Sequence, residues 1–259
     1  LRKLLDGCMK VAMEFSPRCS IPYVSRVDAG TVDAIRALGV EVRSSGDLVQ
    51  RFESGWDATA LASHNAASRA LYAIKDRAFD LVTQRMRDGE PITEFEVQDA
   101  IAKWFEQEGL TSDSRAVVAA QENTGDPHYL PTRDRHRTIG PNEVLLLDLW
   151  GKLTKPRAVY ADITWMGFTG VNVPTRYADV FAVIRKGRDA AVSLVQRAVS
   201  NGLELCGWEV DRAARNLVAA AGFGDRFVHR TGHSLGEEVH GNGVHLDDFE
   251  THDERRLLP

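Results

Sequence analysis

Residues 229–236 read His-Arg-Thr-Gly-His-Ser-Leu-Gly, and residues 238–240 add Glu-Val-His. Histidine carries protons and binds metals near neutral pH, and glycine lets the backbone bring such side chains together. The run therefore predicts a functional site in a loop. The five histidines of this part of the chain are His229, His233, His240, His245 and His252.

Two of these five histidines are expected to have structural roles. A lone histidine is more often a surface or hydrogen-bonded residue than a ligand, and we interpret His245 and His252 in that way. His229 and His233 are four residues apart, as in a zinc-binding HExxH helix, but no glutamate follows His229. Gly232 and Gly236 also disfavour a helix, so the sequence argues against a zincin.

Two aspartates interrupt segments that are otherwise typical of buried strands. Asp148 lies in Val-Leu-Leu-Leu-Asp-Leu-Trp at 144–150, and Asp162 lies in Tyr-Ala-Asp-Ile-Thr-Trp at 160–165. Burying an ionised carboxylate alone is costly, although one such residue can accept backbone hydrogen bonds or pair with arginine. Two on successive antiparallel strands would approach each other, and like charges at that distance call for a cation between them.

Hydrophobic periodicity predicts an α+β protein with an internal repeat. A first part of about 55 residues has short alternating elements: a strand at Lys10 to Phe15, a helix from about Thr31 to Gly39, and a strand at Val40 to Val42. Two copies of the order helix, helix, strand follow, which predicts a duplicated domain. The expected elements are helices from Asn65 to Gly89 and from Thr93 to Gly109, strands at 116–120, 144–150 and 160–168, helices marked by Val180 to Leu194 and Val210 to Ala221, and a β-type segment bearing the histidines.

Composition excludes several classes of partner. The chain has 259 residues, a net charge of -5 and interspersed acids and bases, so it lacks the basic face that nucleic acids require. No apolar run reaches the roughly 20 residues that span a bilayer. Cys8, Cys19 and Cys206 are scattered without a CxxC spacing, which favours a reducing cytoplasm over a disulfide framework.

Asp148, Asp162 and the histidine run, with Asp-Pro-His-Tyr at 126–129, together resemble the pita-bread metallopeptidase family. That family includes Xaa-Pro aminopeptidases, prolidases, methionine aminopeptidases and creatinase. The resemblance implies a duplicated pita-bread catalytic domain of the α+β class over residues 56–259, incomplete at its C-terminal end. Residues 1–55 resemble the end of a creatinase-type α/β N-terminal domain.

The resemblance also assigns roles to individual residues. It implies that Asp148, Asp162 and His233 are metal ligands, that His128 and His240 are catalytic, and that His229 contacts the substrate. Two further glutamate ligands are expected beyond residue 259. The chain starts at Leu1 rather than Met and stops abruptly at Pro259, so we expect both ends to be cuts. Because two ligands are missing, we expect the fragment by itself to be inactive or nearly so.

The activity that the resemblance implies is hydrolysis of Xaa-Pro peptide bonds in proline-containing peptides, by a homodimeric enzyme. Two divalent metal ions would activate a hydroxide for this reaction. Carboxylate-rich sites with one histidine favour Mn²⁺, with Co²⁺, Fe²⁺ or Zn²⁺ also open. A creatinase-like amidinohydrolase and a non-catalytic binding module on the same fold remain alternatives.

Overall fold

The computed structural model describes residues 1–258, which divide into two compact units. The four-stranded unit comprises residues 56–178 and 235–239. The histidine unit comprises residues 1–55, 179–234 and the chain from His240 onward. The domain boundary predicted after residue 55 stays a prediction, because compact units defined by contacts need not follow the limits of homologous domains.

The four-stranded unit packs two helices against a mixed-length antiparallel sheet. Its two long strands, β5 at Val144–Leu153 and β6 at Ala161–Phe168, pair with each other. Strand β5 also pairs with two short strands, β3 at Leu110–Thr111 and β4 at Val117–Ala120. The two helices are α3 at Ala58–Arg87 and α4 at Glu94–Gln107.

The histidine unit contains a parallel two-stranded sheet, two short helices and a second long helix pair. The boundary between the units falls in the first turn of α5. Its elements are β1 at Lys10–Met13, α1 at Ala29–Arg36, β2 at Glu41–Ser44, α2 at Gly46–Glu53, α5 at Thr175–Ser200 and α6 at Gly207–Ala220.

Each helix pair has an apolar core of its own. In the four-stranded unit the predicted stripe of α3 is fully buried at Leu71 and Ile74 and packs with Val97 and Ile101 of α4. The sheet completes this core from one face. In the histidine unit a smaller cluster joins α5 and α6, comprising Ala191, Ala198, Leu205, Val210 and Ala214.

The helix pairs of the two units resemble each other in their signals as well as in their order. Both α4 and α6 have 14 residues, and a glutamate at the third helical position bonds the backbone of the N-cap residue in each: Glu96 with Thr93, and Glu209 with Cys206. A glycine with positive φ follows every one of the four helices, at Gly89, Gly109, Gly202 and Gly222. This is the arrangement expected of a duplicated domain.

Two sequence predictions of local structure were wrong. Helix α3 begins at Ala58 rather than near Asn65, because the Asp57 carboxylate caps the Ala60 N–H at 2.7 Å although the first turn is mostly exposed. The histidine-bearing segment after Gly222 forms no strand. It makes one isolated antiparallel bridge, between Gly232 and Leu246, and side chains satisfy much of its backbone instead.

No helix among residues 1–258 is both long and apolar enough to cross a membrane.

Candidate functional site

The two predicted carboxylates lie on adjacent antiparallel strands of the four-stranded unit. Asp148 of β5 is opposite Thr164 of β6, and Asp162 of β6 is opposite Trp150 of β5. Because side chains alternate along a strand, this register puts both carboxylates on the same face as diagonal neighbours, roughly 7–8 Å apart at the backbone. The hairpin predicted from the sequence is therefore confirmed.

The pleat of β5 explains how a carboxylate sits inside so apolar a run. Leu145, Leu147 and Leu149 point to the opposite face and are almost wholly buried in the core. Asp148 is half-buried on the other face, where the Thr164 hydroxyl donates a 2.7 Å hydrogen bond to its Oδ1. The strand thus buries its leucines while keeping the carboxylate outside the core.

The chemistry of this face suits a divalent cation, because carboxylate oxygens are ligands of hard and intermediate ions and two carboxylates lie on one rigid ribbon. Two aspartates are a partial set. Among residues 1–258, no group of three or more His, Cys, Asp or Glu side chains stands as a metal site.

His128 lies on a loop that a buried glutamate organises. The Asp126 carboxylate accepts the His128 N–H at 2.9 Å. Next in the chain, the Tyr129 hydroxyl donates to Glu94 Oε2 at 2.5 Å, and Glu94 is itself fully buried at the start of α4. Burial and the hydrogen bond to Glu94 raise the pKa of Tyr129, so the hydroxyl keeps its proton.

Glu94 is the centre of a larger set of contacts. Its oxygens also accept hydrogen bonds from the backbone of Ala120 at 2.7 Å, from the backbone of Arg137 at 2.9 Å and from the Asn123 amide at 3.0 Å. Buried charges are tolerated when hydrogen bonds satisfy them in this way. Glu94 thereby joins the end of β4 to the loop that carries His128.

In the histidine unit, His233 and His240 lie together. Their ring centroids are 4.5 Å apart at an angle of 57°. The Ser234 carbonyl accepts a 2.8 Å hydrogen bond from the Gly241 N–H, which closes the loop between them. His233 and His240 thus meet in a loop, and residues 229–236 form no helix, as Gly232 and Gly236 suggested.

His229 and Arg230 share a carboxylate. Glu250 lies 3.2 Å from His229 Nδ1 and 3.1 Å from Arg230 Nη1, and it also accepts the Arg230 N–H. The His229 carbonyl accepts from Arg215 of α6 at 2.6 Å. Glu250 and Glu254 are exposed, as expected for residues on a solvated turn.

The two histidines expected to be structural differ from each other. His252 is exposed, stacks on Trp208 and lies 2.6 Å from Asp248. His245 is fully buried, and its Nδ1 accepts the Ser234 N–H at 3.1 Å. Burial, together with the nearby Arg230 and Arg255, lowers the pKa of His245 to about 3, so its ring is neutral.

Comparison with known proteins identifies the family. The sequence profile of metallopeptidase family M24 matches residues 66–259. The chain belongs to metallopeptidase family M24. The pita-bread resemblance drawn from the histidine run and the two aspartates is confirmed.

Relatives of this M24 chain include the Xaa-Pro dipeptidase of Lactobacillus delbrueckii subsp. lactis. The two are 30% identical over 183 residues, which cover 67% of this chain and 45% of the relative. A prolidase from Thermococcus sibiricus superposes with a TM-score of 0.65 at 18% identity, covering 96% of this chain and 60% of that one. A dipeptidase from Pyrococcus horikoshii OT3 gives 0.65 at 23% identity, covering 99% and 64%. The solved structures confirm the predicted fold.

The M24 chain spans about half the length of the curated relatives it matches. What those relatives cleave is therefore carried to this chain only as a proposal.

Sequence reasoning missed several buried polar residues of this M24 chain. Glu94, Asp211 and Asp253 are each fully buried and bond loop backbone. Asp211 was the most visible of them, since it is a charge on the helical face next to the buried Val210. Glu94 was hidden because acidic residues are common in the first turn of any helix.

Proposed function

We propose that the protein is a metal-dependent peptidase that hydrolyses Xaa-Pro bonds, as an Xaa-Pro aminopeptidase or dipeptidase. The observation that carries the proposal is the pair of carboxylates, Asp148 and Asp162, on one face of β5 and β6 in a chain of family M24. The Xaa-Pro dipeptidase relative supports the substrate class.

Asp148, Asp162 and His233 are proposed as metal ligands, the roles that the family resemblance gives them. Support from the structure is separate for each unit: the shared face of the two aspartates, and the hydrogen bond from His233 Nδ1 to the Ser234 carbonyl at 3.1 Å. A carbonyl only accepts, so this bond places the ring proton on Nδ1 and the lone pair on Nε2. When bound, two divalent ions would supply hydroxide near neutral pH.

His128 and His240 are proposed to contact the reacting amide, and His229 the substrate. An imidazole N–H can donate to the oxygen that becomes negative during attack on a carbonyl. It can also return a proton to the leaving proline nitrogen. The 4.5 Å between the His233 and His240 rings supports a role for His240 beside a ligand.

The finer points of the proposal concern the metal, the assembly and the location. Mn²⁺ is the first choice because carboxylates predominate among the ligands, with Co²⁺, Fe²⁺ and Zn²⁺ as alternatives. A homodimer is proposed from the family resemblance. The three cysteines are free among the described residues, which is compatible with the proposed reducing cytoplasm.

The test uses the full-length gene product, stripped with chelator and assayed on Ala-Pro and on Ala-Pro-Ala with and without Mn²⁺. Release of the N-terminal alanine only after Mn²⁺ is restored is the expected result. Cleavage of both peptides would indicate an aminopeptidase, and cleavage of Ala-Pro alone a dipeptidase.

Variants then test the residues. Asp148→Asn and His233→Asn should abolish turnover and lower the bound metal, whereas His240→Ala should reduce turnover about 10²–10³-fold with metal still bound. Asp76→Asn, an exposed charge on α3, is the control. Turnover that persists in either ligand variant contradicts the assignment, and a full-length protein with neither bound metal nor cleavage favours the binding-module alternative.

A further inference from the structure

The backbone of Ser234 makes hydrogen bonds to three parts of the histidine unit. Its carbonyl accepts from the Gly241 N–H at 2.8 Å and from His233 Nδ1 at 3.1 Å. Its N–H donates to His245 Nδ1 at 3.1 Å. The two peptide groups that meet at the Ser234 Cα therefore contact the His233 ring, the residue after His240 and the ring of His245.

The His245 ring has little freedom to move. Its edge meets the Tyr23 ring with centroids 4.5 Å apart and planes at 75°, and none of its surface is exposed. Nδ1 must be the acceptor for the Ser234 N–H, so the ring proton of the neutral form lies on Nε2. Nε2 is buried and has no hydrogen-bond partner among the described residues.

An unpartnered buried N–H is unfavourable, because the hydrogen bond that it made to water in the unfolded chain is not replaced. A histidine at this position therefore does not give the greatest stability that the site allows. An apolar side chain would avoid the buried donor but would leave the Ser234 N–H without an acceptor. The feature that distinguishes histidine here is the acceptor at Nδ1.

A buried ion pair between Asp253 and Arg255 holds the backbone of His245. The His245 N–H donates to Asp253 Oδ2 at 2.8 Å. Arg255 donates two hydrogen bonds to the same carboxylate, from Nε at 2.9 Å and from Nη2 at 2.6 Å. Its Nη1 donates to the Asn242 carbonyl at 2.9 Å. Two-pronged arginine contacts of this kind fix geometry as well as charge.

We propose that His245 is a positioning residue that, through Nδ1, holds the Ser234 N–H, fixes the backbone of Ser234 and thereby sets the tautomer and orientation of the His233 ring. The Ser234 carbonyl, in the next peptide group, keeps the proton on His233 Nδ1 and leaves Nε2 as the ligand nitrogen. Partners of this kind, one step behind a ligand, are worth about 10–100-fold in metal affinity. The consequence for metal rests on the proposed function, whereas the chain of hydrogen bonds does not.

Asparagine and glutamine at position 245 separate positioning from packing. The amide oxygen of asparagine is as many bonds from Cα as Nδ1 of histidine, whereas that of glutamine is one bond further out and matches Nε2. Positioning therefore ranks His245→Asn above His245→Gln. Packing alone ranks them the other way, because asparagine leaves the larger cavity. The pair His252→Asn and His252→Gln, at an exposed histidine, is the control.

The first readout needs neither metal nor turnover. Hydrogen exchange of the Ser234 amide should be at least about tenfold faster in His245→Gln than in wild type and within about threefold of wild type in His245→Asn. Nitrogen NMR of histidine-labelled protein should show His233 protonated at Nδ1 in wild type and His245→Asn, and a tautomer mixture in His245→Gln.

The second readout is Mn²⁺ affinity of the full-length protein by calorimetry. His245→Gln should lose about 10–100-fold and His245→Asn should stay near wild type. Equal exchange rates of the Ser234 amide in the two variants, or slower exchange in His245→Gln than in His245→Asn, overturn the positioning role. If Ser234 exchange in the variants follows the expected pattern but the wild-type protein binds no metal, the proposed function is refuted and the hydrogen-bond role of His245 stands.

Discussion

At the residue scale, buried polar side chains determine the shape of the loops in this protein. Glu94 holds the loop of His128, and Asp211 accepts both the Thr231 N–H at 2.8 Å and the Thr231 hydroxyl at 2.7 Å. Arg215, one turn further along α6, pairs with Asp211 and also donates to the carbonyls of Phe227 and His229. These side chains replace the ladder hydrogen bonds that a strand would have made.

Acid should destabilise the protein through His245. Its pKa is about 3 in the folded chain against an ordinary value of 6.5, because of burial and then Arg230 and Arg255, with Asp253 opposing and His233 adding to the effect. The unfolded chain binds this proton at a higher pH than the folded chain. The contribution to the free energy of unfolding is therefore complete above pH 6.5 and is lost progressively as pH falls toward 3.

Urea unfolding of metal-free protein between pH 7 and pH 4 measures this effect. His245→Asn removes the titrating group, so its free energy of unfolding should fall less steeply with decreasing pH than that of wild type. Parallel pH profiles for the two proteins would show that His245 is not the group responsible.

Gly207, the first residue of α6, should tolerate no side chain. A Cβ there would lie 1.9 Å from the His245 carbonyl oxygen and 2.6 Å from Val244 Cγ2. We expect Gly207→Ala to lower the free energy of unfolding by about 1–3 kcal/mol or more, because a backbone atom has to move. Gly125→Ala, where nothing lies within 4 Å, is the matched control, and equal urea midpoints for the two variants would contradict the close approach.

At the element scale, α4 and α6 begin with the same arrangement but different N-cap residues. The Thr93 hydroxyl accepts the Glu96 N–H at 3.1 Å, and Glu96 bonds the Thr93 backbone in return. At α6 a cysteine occupies this position, and the Cys206 N–H donates to Glu209 at 2.8 Å. Serine and threonine are better N-cap residues than most others because their hydroxyl satisfies a helix N–H.

Substitutions at the two N-caps should therefore have opposite signs. Thr93→Ala should lower the free energy of unfolding by about 1 kcal/mol, and Cys206→Ser should raise it by up to about 1 kcal/mol. Chemical denaturation followed by circular dichroism measures both. A loss of stability in Cys206→Ser would show that packing of the thiol outweighs its replacement by a better cap.

At the scale of the whole molecule, the histidine unit has an apolar cavity of about 710 Å³ along α5 and α6, lined by residues such as Val183, Ile184, Val192 and Phe227. Ile184 and Val192 are about half exposed beside it. Concave apolar surfaces of this kind bind hydrophobic small molecules.

The 259-residue chain should accordingly bind a hydrophobic fluorescent dye at this face. The double variant Ile184→Glu and Val192→Glu should lose most of the dye fluorescence at an unchanged circular dichroism spectrum. Val171→Glu, at a highly exposed valine of the four-stranded unit, should not. Equal fluorescence in all three proteins would place the dye elsewhere.

Much of the fold and part of the candidate site could be predicted from local sequence. The helical stripe at Ala67, Leu71 and Ile74 is fully buried, and the strands that carry Asp148 and Asp162 pair as expected. Such patterns are readable because periodicity and capping act between residues close in sequence. The strand predicted after Gly222 was wrong, because the backbone there bonds to the side chains of Asp211 and His245, which lie 20 and 11 residues from their backbone partners.

The sequence by itself determined the family, the identity of the candidate ligands and most of the helices and strands, since each depends on residue types in a fixed order. Only the tertiary structure decided that His245 is a buried acceptor for Ser234 and that Glu94 holds the His128 loop. It also decided that Asp253, paired with Arg255, accepts the backbone N–H of His245. The physical reason is that a polar side chain gains its role from the partners that folding brings to it. Those partners can be many positions away in the chain, so no local sequence pattern predicts them.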